Sequence, residues 1–406
     1  MSGGDGLVSA QCDADMRWLV GKGRAAANAR DLLAGLGRHL FETGMPVKRL
    51  MMGMPTLHPM VAGRSYVWRQ GMAGCTEEFT RDHGVFDTEA YLNSPVNAVR
   101  QKGAPIRWRL TGPEANVEFD ILRELADEGM TDYFLAPLAF TERRGAVVAF
   151  STDKPEGFSG ACLARAKNLL PVLGMLFEIH AMHETSRSLL ETYIGVDAGQ
   201  RVLNGQIKRG DASVIKAVLW YCDLRGFTPL SERLGGAELI GILNEYFERM
   251  AAPVRAHGGE VLKFIGDAML AIFPLAERDA EIACNAALAA AREAAEAMTA
   301  YGRECVACGT PELRFGVALH LGEVTYGNIG APDRLDFTVI GPAVNRVVRI
   351  EEQCRRLERQ ILVSGEVAKH VRTDLVSVGS HALRGVREAV ELFGLPEPEK
   401  ARSAAE

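Results

Sequence analysis

Leu32, Leu33, Leu36, Leu40 and Phe41 fall three and four positions apart, and this spacing predicts a helix over residues 14–44. The period then changes. Short apolar and β-branched runs predict strands over 47–54, 65–70, 106–110, 133–140 and 146–152, with a helical piece over 117–127. A helix followed by strands separated by turn residues predicts an α+β domain built on an antiparallel sheet. From 161 to about 188 the helical period returns, and Leu163, Ala166, Leu170, Leu173, Phe177 and His180 alternate as in a coiled-coil seam. Pro171 falls inside that seam and is expected to kink or restart the helix. Residues 193–212 are polar and glycine-punctuated and read as a connector.

Beyond 213 the elements alternate. The pattern predicts a strand over 213–222, a helix over 235–257, and a hairpin of 260–265 with 268–273 that turns at Gly266-Asp267. An alanine-rich helix over 279–303, a strand over 313–319, a hairpin-like stretch to 339 and a helix over 343–356 follow. The first part of this order is β-α-β-β-α-β, the ferredoxin-like pattern.

Asp223 stands at the end of the apolar run 214–222 and is followed by Gly226-Phe227-Thr228. Alone it reads as a solvent-facing turn aspartate. In a β-α-β-β arrangement, however, the first strand and the later hairpin are sheet neighbours, so Asp223 and Asp267 converge. Two carboxylates held together repel unless a cation lies between them, and hard divalent ions prefer such oxygens. The turn after Asp223 leads towards a helix and offers backbone N–H groups to phosphate. A metal pair beside an N–H-rich turn suits triphosphate chemistry.

Composition bounds the rest. At 406 residues, two domains are expected, and 47% hydrophobic with 24% charged residues is the balance of a soluble globular chain. A net charge of -6 argues against coating nucleic acid and leaves a local nucleotide site open. Eight cysteines without framework spacing point to a reduced chain, and the pair Cys305/Cys308 cannot complete a four-ligand zinc site alone. No signal-peptide pattern and no apolar run long enough to span a bilayer are evident, so a cytoplasmic protein is expected.

The stretch DYFLAPLAFTERRGAVVAFSTDKPEGFSG, two apolar strands around a charged turn at 142–144 and then a long helix, resembles the close of a GAF-type sensor domain. The resemblance covers roughly 30–160, with a PAS-like fold as its neighbour, and implies a small-molecule or other signal. His58, His83 and Cys75 could serve haem or a chromophore, but no attachment motif stands beside them. Polar loop residues and a buried thiol are the simpler reading.

CDLRGFTPLSE, VLKFIGDAMLAIFP, HLGEVTYGNIG and FTVIGPAVNRVVRIE match, in order, the successive motifs of class III nucleotidyl cyclases. The chain accordingly resembles an adenylate cyclase of that class, organised as an N-terminal segment (1–29), a sensor (30–160), a helical linker (161–212), a catalytic domain (213–396) and a polar tail (397–406). The resemblance implies conversion of ATP to cyclic AMP and pyrophosphate. Asp223, Asp267 and Leu224 would hold two divalent ions, Mg²⁺ or Mn²⁺. Gly226, Phe227, Thr228 and Arg384 would face the phosphates. Lys263 would read the adenine, with Thr338 bonding the base where many members carry aspartate, a threonine that marks the bicarbonate-responsive subgroup. Asn345 and Arg349, four apart on one helix face, would orient the ribose and stabilise charge at the α-phosphate.

In the family the aspartates and the Lys-Thr-Asn-Arg set come from opposite subunits, which implies a homodimer. Guanylyl members generally carry glutamate where Lys263 stands. Pro342 departs from the pattern, at a position that is often aspartate. A catalytically silent nucleotide-binding module remains the alternative; a polymerase-like or diguanylate-forming relative shares the β-α-β-β scaffold but would carry a Gly-Gly-Asp/Glu-Glu-Phe-type hairpin, which FIGDAML does not fit.

Overall fold

The computed structural model describes residue 11 and residues 13–141, 145–275, 279–307 and 313–396, apart from the side chains of 76–78. The turn at 142–144, Cys308 and the tail lie outside the described residues. Two compact units divide the chain, Met1–Thr192 and Tyr193–Glu406.

The helix expected over 14–44 is broken. A π-helical turn at Leu19–Gly23 precedes α1 (Ala29–Glu42), whose Asn28 cap accepts the Asp31 N–H at 2.8 Å. Glycines at 21 and 23 weaken the first helix, and the asparagine offers the backbone a fresh start. The sheet is six-stranded and antiparallel. Its strands are β1 (Arg49–His58), β2 (Val61–Arg69), β3 (Cys75–Arg81), β4 (Ile106–Arg109), β5 (Asp132–Leu138) and β6 (Ala146–Thr152), in the order β3-β2-β1-β6-β5-β4. The short helices α2 (Glu89–Leu92), α3 (Pro95–Lys102) and α4 (Asp120–Asp127) connect them. β3 and the first two of these helices escaped the periodicity reading because CTEEFTR does not alternate cleanly and EAYL is only one turn long.

α5 (Gly160–Ile194) corrects two expectations. Ala166, Leu169, Leu173 and Phe177 are buried in the same cluster as Leu36 of α1 and Leu50 and Phe150 of the sheet, so the apolar seam packs into the core of its own unit rather than on a coiled-coil partner. Apolar spacing of three and four serves either purpose. A different row, Met175, Ile179, Met182 and Leu189, is 37–64% exposed. The helix also runs through Pro171 without restarting. The proline is exposed, so the Lys167 carbonyl that loses its N–H partner faces the solvent side.

The second unit begins with α6 (Val196–Leu203) and β7 (Ala212–Arg225). Then come α7 (Phe227–Arg233), α8 (Gly236–Ala256), β8 (Glu260–Ile265), β9 (Ala268–Pro274), α9 (Ala280–Ala307), β10 (Arg314–Ala331), β11 (Arg334–Ile340), α10 (Pro342–Arg356) and β12 (Ile361–Ser364). α11 (Gly365–Ala368), β13 (Val376–His381) and β14 (Val390–Gly394) complete it. The strands order as β13-β14-β12-β10-β7-β9-β8, with β11 pairing β10. Within β10-β7-β9-β8 the neighbours are antiparallel, as the β-α-β-β-α-β reading requires.

β7 is central, and its alternate residues serve two cores. Val218, Trp220, Cys222 and Leu224 join Tyr246 and Met250 of α8 and Leu288 and Met298 of α9. Ala217, Leu219 and Tyr221 join Val347 and Ile350 of α10. With both faces covered, the strand must read as an unbroken apolar run. Among the described residues, no helix is long and apolar enough to cross a membrane.

Candidate active site

β7 extends three residues past the apolar run, so Asp223 lies inside the strand rather than beyond its end. It pairs in register with Ala268 of β9 on one side and Gly316 of β10 on the other. Asp267 follows Gly266, whose φ of 65° makes the tight turn between β8 and β9. Because Ala268 is the residue after Asp267, the hairpin delivers the second carboxylate beside the first. Burial, and then the charge and hydrogen bond of Asp267, push the Asp223 carboxyl up to about 6, against the opposing charge of Arg225. A cation placed between the two acids would relieve this repulsion.

A third carboxylate stands near them that motif reading missed. Glu351, only 8% exposed, lies on the inner face of α10. A Cβ added to Gly316 would come within 2.2 Å of its Oε1, so a glycine opposite Asp223 makes room for it. Burial first, then the Asp223 charge, push Glu351 up to about 7. A signal was available: Glu351 falls four residues after Val347, a position that helical period assigns to the buried face.

These shifts set a pH dependence. In the metal-free folded chain Asp223 and Glu351 keep their protons up to about 6 and about 7, against ordinary values of 3.8 and 4.5. The folded state therefore binds more protons than the unfolded state between about pH 4 and about pH 7, and its stability falls as pH rises through that window. Melting curves of the metal-stripped chain should show this fall, and Glu351→Gln should flatten it. An equally steep fall in the variant would remove Glu351 from the account.

The turn that follows is built as expected. Gly226 has a φ of 77°, in the left-handed region that favours glycine, and no side chain caps the first turn of α7. Phe227 packs on the core while Thr228 is exposed. Leu224 has its side chain in the core, so only its backbone carbonyl could approach an ion.

Other residues singled out by sequence fall in separate places. Lys263 of β8 makes an ion pair with Asp336 of β11. Thr338 lies two residues along β11 from Asp336, on the same face of the strand, and its buried Oγ1 has no hydrogen-bond partner among the described residues. A buried hydroxyl without a partner is unusual and suits a ligand. Asn345 is exposed on the outer side of α10, and Arg349 one turn later pairs with Glu352. Arg384 is exposed in the link between β13 and β14. Among the described residues, no hydrogen bond or ion pair joins the Lys263 or Asn345/Arg349 groups to the two aspartates.

Residues 213–396 match the family model of the adenylate and guanylate cyclase catalytic domain. The chain is similar to an adenylate cyclase of Anabaena cylindrica, 31% identical over 205 residues that cover 50% of this chain and 39% of that protein. It is also similar to adenylate cyclase 1 of Rhizobium meliloti, 33% identical over 179 residues that cover 43% of this chain and 26% of that one. Among solved structures, the adenylyl cyclase CyaB from P. aeruginosa aligns over 47% of this chain and 98% of its own, at 27% identity and a TM-score of 0.43. The chain therefore spans well under half the length of these two curated relatives.

Proposed function

We propose that this chain, whose residues 213–396 carry a cyclase catalytic domain, converts ATP to 3′,5′-cyclic AMP and pyrophosphate. The observation that carries the reading is the meeting of Asp223 and Asp267 beside an uncapped glycine turn, inside the matched segment. The two curated relatives described above are adenylate cyclases, and a lysine rather than a glutamate stands at position 263.

The donor set fits hard divalent ions: two converging carboxylates, a backbone carbonyl at Leu224, and a charge repulsion that a cation relieves. Bound there, two such ions, Mg²⁺ or Mn²⁺, would screen the triphosphate and ease loss of the ribose 3′-proton. The N–H groups of Gly226, Phe227 and Thr228 would hold phosphate oxygens, with Arg384 on the terminal ones. Lys263 and the unpartnered Thr338 hydroxyl would grip the adenine. Asn345 would orient the ribose so that its 3′-oxygen lies in line with the α-phosphorus and the leaving pyrophosphate oxygen. Arg349 would neutralise the charge that gathers on the α-phosphate as one P–O bond replaces another.

In a single chain, Lys263 and Arg349 are held by Asp336 and Glu352. A symmetric dimer in which each chain lends these groups to the other's aspartates resolves this and gives two equivalent sites. Two exposed apolar sets support it. One is the outer row of α5, and the other is Phe264, Ile265, Leu335 and Ile340, which flank the Lys263–Asp336 pair in sequence. The first unit, an antiparallel sheet leading into a long helix, would be the GAF- or PAS-like sensor that regulates the enzyme. Thr338 adds a bicarbonate response to this reading.

Purified chain should form cyclic AMP from ATP, and little cyclic GMP from GTP, in the presence of Mg²⁺ or Mn²⁺. No product from either nucleotide, with nucleotide binding intact, would favour the silent binding module. A version beginning at residue 191 reads the sensor's part: an unchanged rate and an unchanged response to conditions would remove regulation from the proposal.

A further inference from the structure

In the first unit a cavity of about 740 Å³ lies between strands β1–β3 and the segment that carries α2, α3 and α4. That volume falls in the range of sites for small organic ligands, roughly 300–1,000 Å³. Its floor is apolar, with Met51, Val67, Leu125 and Val147. Its walls are cationic. Among the described residues, five arginines (49, 64, 69, 81 and 100) face the cavity against two glutamates, Glu124 and Glu128.

The arginines are not equivalent. Arg69 pairs with Glu128 at 2.8 Å, and Arg64 with Glu184 at 3.1 Å. Arg81 and Arg100 have no carboxylate partner among the described residues. Each guanidinium lies instead over an aromatic ring, Arg81 over Phe79 at 5.4 Å and Arg100 over Phe86 at 5.7 Å. Arg81 spends one donor on the Thr80 carbonyl; Arg100 spends two, on the Tyr91 hydroxyl and the Gly145 carbonyl. A guanidinium has five donors, so each keeps an edge for an anion while the ring fixes its plane. Phe79 and Phe86 are themselves 41% and 38% exposed, large rings left open at a cavity wall.

We propose that this cavity binds a small organic anion with a planar body. The body would lie against Phe79 and Phe86 over the apolar floor, and the charge would go to Arg81 and Arg100. A carboxylate or a phosphate would satisfy the same donors. The inference stands apart from the cyclase reading, since binding is measured without nucleotide turnover.

The test is isothermal titration of the full chain with 1-naphthyl phosphate, 1-naphthoate and uncharged 1-naphthol. One site per chain is expected, with at least one anion about tenfold or more tighter than naphthol, because charge-assisted hydrogen bonds are the strong ones. Whichever anion binds tighter identifies the head group. The double substitution Arg81→Gln with Arg100→Gln should erase the advantage and leave naphthol binding as it was. Both arginines are exposed, so melting should be unaffected. Ala90→Trp, which fills the mouth and spares every arginine, should abolish binding of all three probes. Naphthol binding as tightly as the anions, or anion affinity unmoved by the double substitution, would overturn the proposal, as would undiminished binding to Ala90→Trp.

Discussion

Asp223→Ala is expected to abolish cyclic AMP formation while making the metal-free protein more resistant to heat. Both effects come from one cause. In the absence of a cation, the Asp223 carboxylate is partly buried and faces the Asp267 carboxylate, and its raised pKa reports that discomfort. Removing it relieves the repulsion, so the melting temperature in chelator should rise. The same removal leaves one carboxylate where the reaction needs two. A bound metal contributes several kcal/mol to transition-state stabilisation and each 1.36 kcal/mol is tenfold, so the rate should fall by about a thousandfold or more. Divalent ion should raise the parent's melting temperature and leave the variant's nearly unmoved. A residue kept for packing would behave in the opposite way, losing stability along with activity. Product assays paired with melts in chelator and in Mg²⁺ decide the matter, and a variant that keeps its activity would sink the metal assignment.

The second expectation concerns two inactive chains that restore each other. In the proposed dimer, Asp223 and Asp267 of one chain work with Lys263, Thr338, Asn345 and Arg349 of the other. Asp223→Ala and Arg349→Ala should then each be inactive alone. A heterodimer of the two has one site carrying both lesions and one carrying neither. With random pairing of equal amounts, half of the dimers are mixed, so about a quarter of the parent activity should return. Lys263→Ala mixed with Arg349→Ala should return nothing, because both lesions fall in the same donor set and each mixed site keeps one of them. If each chain completes its own site, neither mixture gains activity. The measurement is cyclic AMP formation after co-expression or co-refolding of the pairs.

Residues whose chemistry is local were legible in the sequence. Asp267 directly follows Gly266 and Asp223 stands three residues before Gly226, both glycines with positive φ, and the strand and hairpin that carry the two aspartates read clearly from apolar runs. Contacts made across the sheet were not legible. Nothing in the sequence placed Asp336 against Lys263, because that pairing depends on β11 folding back near β8.

β10 misled for a physical reason. The sequence predicts a strand ending at 319 and then a hairpin-like stretch, in a segment that carries glycines at 322, 327 and 330. They lie inside a strand that continues to Ala331. A Cβ at Gly322 would come within 2.7 Å of the Ala343 side chain, and one at Gly327 within 2.2 Å of the Asp211 carbonyl, so close packing rather than turning requires them. The short C-terminal strands, four to six residues each, gave too little pattern to detect. The α5 seam was seen correctly as apolar and assigned to the wrong neighbour, since helical spacing records which face is buried but not what buries it.

α10 has a buried face that places Glu351 behind the aspartates of its own chain, and an outer side that presents Asn345 and Arg349. In the proposed dimer those two sides belong to different active sites, so one rigid helix forms part of the wall of both. Filling one site with cations changes the charge that Glu351 faces, and any shift this causes in α10 also moves the groups lent to the second site. In such a dimer, cooperativity between the two sites would need no separate device, because the shared helix would carry it.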